Sequence, residues 1–103
     1  MKNIKKNLID ETANEITAKE QEIQESDREL EILSVKIKVE NKALGMQDLR
    51  EDLEEDFKYS VQALESMLVQ EQRRNIELKK DLEILKYRRE VIESQFSDNE
   101  LDR

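Results

Sequence analysis

"KALGMQDLREDLEEDF", residues 42 to 57, is where a heptad repeat changes phase, and its reading decides the fold. Upstream of it, Ile9, Ile16, Ile23, Leu30, Ile37 and Leu44 recur every seven residues without a miss. That period keeps one position on a single supercoiling seam, the a column of a coiled coil. Downstream, Phe57, Leu64, Leu78, Leu85 and Ile92 occupy d, while Val61, Leu68, Leu82 and Phe96 occupy a. Extrapolated back, the second frame puts an a position at Glu54, ten residues after Leu44 where seven or fourteen would keep phase. The quoted stretch also holds the only glycine, Gly45, and the densest run of acidic residues.

Two architectures fit that phase break. In one, an all-α chain continues as a single long helix through a hinge at Gly45, with a three-residue stammer over residues 45–53. Such a helix would reach roughly 150 Å at about 1.5 Å per residue and pair with others as a dimeric coiled coil. In the other, Gly45 ends the first helix and the chain returns as an αα-hairpin. Ala43, Leu44 and Met46 around the glycine are helix formers rather than loop residues, which favours the continuous helix.

Composition supports a helical rod of either kind. The 103 residues include no Pro and one Gly, where an ordinary globular chain of this length carries about five and seven. Charged residues make up 43% and apolar ones 36%, which leaves a coiled coil or an acidic disordered chain. Periodicity decides for the coiled coil: nine of the twelve a and d positions from 57 to 96 are apolar, with Glu71, Asn75 and Arg89 the exceptions.

The first half is weaker. Its d positions are Thr12, Lys19, Ser26, Leu33, Glu40 and Gln47, of which only Leu33 suits a core. In a parallel homodimer, g residues face e residues of the partner, setting Glu15 against Glu20 and Glu22 against Asp27. A half-apolar seam with repelling flanks predicts a hetero-partner helix for residues 9–44, from another chain or from elsewhere in this one. The fuller seam at 57–96 predicts self-association, with Asn75 fixing register by meeting a matching Asn. The expected organisation is a frayed basic start (1–8), a weak coiled coil (9–44), an acidic hinge (45–56), a strong coiled coil (57–96) and a disordered tail (97–103).

Chemistry is excluded more firmly than biology. Without His or Cys there is no general base or thiolate of the usual kinds, and no soft metal ligand. No Gly-rich phosphate loop is present. Carboxylates on a convex, solvated rod lack the desolvated cleft that catalysis needs. No enzyme, cofactor or metal is expected.

The arginine-rich "QRRNIELKKDLEILKYRRE", residues 72 to 90, lies inside the zipper. A basic-zipper protein places such charges N-terminal to the zipper, where its helices fork into the major groove. With a net charge of −8 as well, nucleic-acid binding is not expected. An antiparallel association could instead set this basic stretch against the acidic residues 48 to 56.

No apolar run approaches the roughly 20 residues of a membrane span, and the N-terminus lacks a signal-peptide core, so an intracellular, cytoplasmic protein without membrane insertion is expected. The heptad resembles the rod segments of cytoskeletal, motor, tethering and centrosomal or kinetochore proteins. That likeness implies a scaffold or oligomerisation module, or an adaptor folding as one helix of a heteromeric bundle.

Overall fold

The computed structural model describes residues 3–97 and 99–101. Two helices account for nearly all of them: α1 (Ile4–Leu44) and α2 (Glu51–Gln95), with no strand among the described residues. The chain is all-α, as the heptads predict, and of the two architectures it adopts the hairpin rather than the continuous helix. The six residues between Leu44 and Glu51 are a turn. The phase break therefore is no stammer. Each helix of a hairpin keeps its own heptad frame, and a loop imposes no phase relation between them.

Local chemistry explains where the helices begin and end. Asn3 caps α1: its Oδ1 accepts from the Lys6 amide at 3.4 Å, and its carbonyl accepts from Asn7 at 3.1 Å. Residues 4–8, expected to fray, belong to α1. At the other end, the Gly45 amide is shared between the Asn41 and Lys42 carbonyls, and Met46 donates to Ala43 at 3.2 Å, tightening the last turn.

Gly45 does not use the freedom that glycine offers. The left-handed residue of the turn is Asp48, at φ 66°. Aspartate tolerates that region better than most side chains. The acidic run that follows opens α2 with Glu51, Asp52 and Glu54, where negative charge favours the positive end of the helix dipole.

The chain divides into two compact units, Met1–Gln24 with Ile76–Arg103, and Glu25–Asn75. In the turn-containing unit the helices run antiparallel. Ser26 meets Asn75 near one end and Glu40 meets Ser60 nearer the turn, so numbering falls on α2 as it rises on α1. Leu33, 1% exposed, is its most enclosed apolar side chain, and Leu30, Ile37, Leu44, Phe57, Val61, Leu64 and Leu68 are half-buried.

The terminal unit has its own antiparallel pairing, from Lys5 with Phe96 to Lys19 with Asp81. Ile16, Ile23, Leu78 and Leu85 are buried there, while Ile9, Leu82 and Ile92 are half-buried. Phe96 lies just past the end of α2 and is exposed. Ser97 and Glu100, which have capping-box spacing, form half of that box: the Ser97 amide donates to Glu100 Oε1 at 3.2 Å. Residues 98, 102 and 103 of the expected tail lie outside the described residues.

Candidate functional site

Three of the polar residues that spoil the α1 seam, Lys19, Ser26 and Glu40, find partners on α2. In the turn-containing unit, Ser26 is fully enclosed and Asn75 is 5% exposed. Asn75 Nδ2 donates to Ser26 Oγ at 3.0 Å and to Asp27 Oδ1 at 2.8 Å. The Ser26 hydroxyl in turn donates to Glu71 and holds its carboxyl below the usual carboxylate value; burial opposes this, and Arg74 adds to it from 2.8 Å. Thus Glu71 and Asn75, two of the three exceptions in the second heptad, close a network on Ser26. Asn75 meets Ser26 and Asp27 of the other helix rather than a matching Asn.

Two of the other d-position misfits follow suit. Ser60 donates to Glu40 at 3.0 Å. In the terminal unit, Lys19 reaches Asp81 at 3.9 Å and Glu22 at 3.7 Å. Thr12, also buried, bonds back to the Leu8 carbonyl at 2.7 Å. In each unit the seam of 9–44, expected to take a helix from another chain or from elsewhere in this one, meets that of 57–96, expected to self-associate. Antiparallel pairing also removes the predicted g-to-e clashes, because g then faces g and e faces e. Within the chain, Arg50 pairs with Asp52, Glu54 with Lys58, and Arg74 with Glu71.

With the seam occupied, the surfaces beside it matter. In the terminal unit, the side formed by g and c positions carries a groove of about 520 Å³. Leu8, Thr12, Ile84, Leu85, Val91 and Ile92 supply its apolar floor and walls. Glu11 and Glu15 stand on the α1 rim, with Tyr87 and Arg88 on the α2 rim. Val91 is 46% exposed and Tyr87 63%, high values for residues of this kind flanking a packed seam. The opposite, e and b side carries Asp10, Thr17, Glu20, Glu83, Lys86 and Glu90, with Ala13 and Ile76 its apolar members.

The turn-containing unit shows the same bias by itself. Ile32 and Val39 of α1 and Met67 of α2 are exposed on its g and c side, against Val69 on the e and b side, and Met46 is exposed in the turn. These residues were legible in the sequence as a second period-seven column, Ile32, Val39 and Met46, continued by Ile84 and Val91 in the second frame. Reading only the a and d columns passes over them.

Among the described residues no cluster of three metal-ligating side chains forms, and no helix is long and apolar enough to cross a membrane. No protein-family model, curated protein or solved structure matches the chain.

Proposed function

We propose that this protein is a non-enzymatic helical scaffold module that associates with other proteins through the g and c side of its hairpin. One observation carries the reading. The groove of the terminal unit is apolar and open while the a/d seam beside it is already filled. A two-helix hairpin buries only one stripe of each helix, and an apolar stripe outside it gains from a further helix laid alongside. Covering what remains exposed of Val91 (46%) and Ile84 (39%) contributes roughly 0.5–1.5 kcal/mol each, so three or four such side chains together can support association. The reading places the protein in the cytoplasm, bound to a helical partner rather than to nucleic acid or lipid.

A photo-reactive amino acid placed at Val91, and separately at Glu83 on the polar side, tests this inside the producing cell. Irradiation should give discrete cross-linked products from position 91 and none from position 83. Equal yields, or none from either, would reject the apolar side as an association surface.

A further inference from the structure

We infer that the occupant of the groove is a second copy of this chain, docked about a two-fold axis parallel to the helices. The inference rests on the association surface proposed above and names its partner. The rim charges supply the reason. On the α1 edge stand two carboxylates, Glu11 and Glu15, and on the α2 edge stands the guanidinium of Arg88.

Two hairpins can meet face to face about two kinds of two-fold axis. An axis perpendicular to the helices lays α1 on the partner's α1, stacking carboxylate on carboxylate and guanidinium on guanidinium. An axis parallel to the helices lays α1 on the partner's α2 without any shift along their length. Glu11 and Glu15 then face the second copy's Arg88, and the same contact recurs on the other side of the axis. Neighbouring helices stay antiparallel throughout, giving the up-down arrangement of a four-helix bundle.

The apolar parts match as well. Val91, which walls the groove from α2, comes over Leu8 and Thr12 of the other copy, while Ile84 comes level with its Glu15 and Lys19. Away from the groove, toward Glu22, Glu77 and Asp81, the same side becomes acidic on both helices. The contact is therefore confined to the level of the groove, and association is weak and salt-sensitive.

Sedimentation equilibrium of the full chain, from micromolar to about millimolar concentration at low salt, reads the outcome against the single-chain mass of 12.3 kDa. Two charge variants at exposed rim positions accompany it, each checked for helix content by circular dichroism: Arg88→Glu, which makes the rim wholly acidic, and Glu11→Arg with Glu15→Arg, which makes it wholly basic. The wild type should reach a two-chain mass. Each variant alone should associate at least about tenfold more weakly, because like charges then face each other twice. Mixing the two variants should restore a two-chain species.

A wild type that keeps a one-chain mass throughout overturns the second-copy assignment. Cross-links from position 91 to another protein would then leave the wider function standing. A wild-type dimer whose strength is unchanged by Arg88→Glu also overturns the inference, since the interface would lie elsewhere.

Discussion

At the scale of single residues, Ser26 decides more than its size suggests. It accepts from Asn75 and donates to Glu71 in a space closed to water. Ser26→Ala removes the hydroxyl shared by Asn75 and Glu71, which keep Asp27 and Arg74 as second partners, and should cost about 0.5–1.5 kcal/mol in chemical denaturation. Combining Ser26→Ala with Asn75→Leu should recover part of that loss, because two apolar groups replace a pair that needs each other. A double-mutant cycle measures the coupling, and additive losses would show that the network is not one unit.

The same network has a pH signature. The carboxyl of Glu71 titrates lower in the folded chain than its ordinary value of 4.5. A depressed carboxylate contributes stability above its unfolded pKa and loses it as pH falls through the folded one. Stability should therefore fall below pH 4.5, and denaturation midpoints for Ser26→Ala should fall less steeply over that range.

At the scale of elements, the turn and the helix ends make separate predictions. A Cβ on Gly45 would sit 3.6 Å from the Lys42 carbonyl, ordinary contact distance, and the glycine has no positive φ. Gly45→Ala should thus raise stability by about 0.4–1 kcal/mol by restricting the unfolded chain. Asp48 is the opposite case. Asp48→Gly should be tolerated, whereas Asp48→Val should cost about 1–2 kcal/mol for a β-branched residue held at positive φ. Thermal melts rank the three, and a loss in Gly45→Ala larger than that in Asp48→Val would refute this account of the turn.

The end of α2 depends on the other helix. Its last turn has no basic residue, and Lys5 Nζ of α1 reaches the carbonyls of Phe96 at 2.7 Å and Glu93 at 3.4 Å. A cation there both caps the open carbonyls and suits the negative end of the helix dipole. The basic N-terminus thus has a structural use that its sequence context, a short run of lysines, does not reveal.

At the scale of the whole molecule, the choice between hairpin and continuous helix is directly measurable. Cysteine is absent, so spin labels at Ser34→Cys and Glu65→Cys report one distance. In the hairpin these e positions lie on adjacent helices whose axes are about 8–10 Å apart, giving a label distance of roughly 20 Å or less. A continuous helix would separate them by roughly 45 Å at about 1.5 Å per residue. Leu78→Ala and Leu33→Ala, one in each unit, should each cost about 2–5 kcal/mol.

The heptads determined the helices, the a/d columns and the place of the break, because these are local and periodic. A side chain every seven residues faces one way whatever it faces. The uneven first seam and the capping spacings were equally plain in the letters. What covers each column is a non-local matter, and only the tertiary structure settled it. Ser26, Lys19 and Glu40 look like defects until Asn75, Asp81 and Ser60 are brought opposite them. That meeting depends on reversing direction at residues 45–50, where a short turn among helix formers leaves a faint signal. Once the hairpin closes, the strong seam is occupied inside the chain. The apolar column at Ile84 and Val91, minor on paper, becomes the open surface.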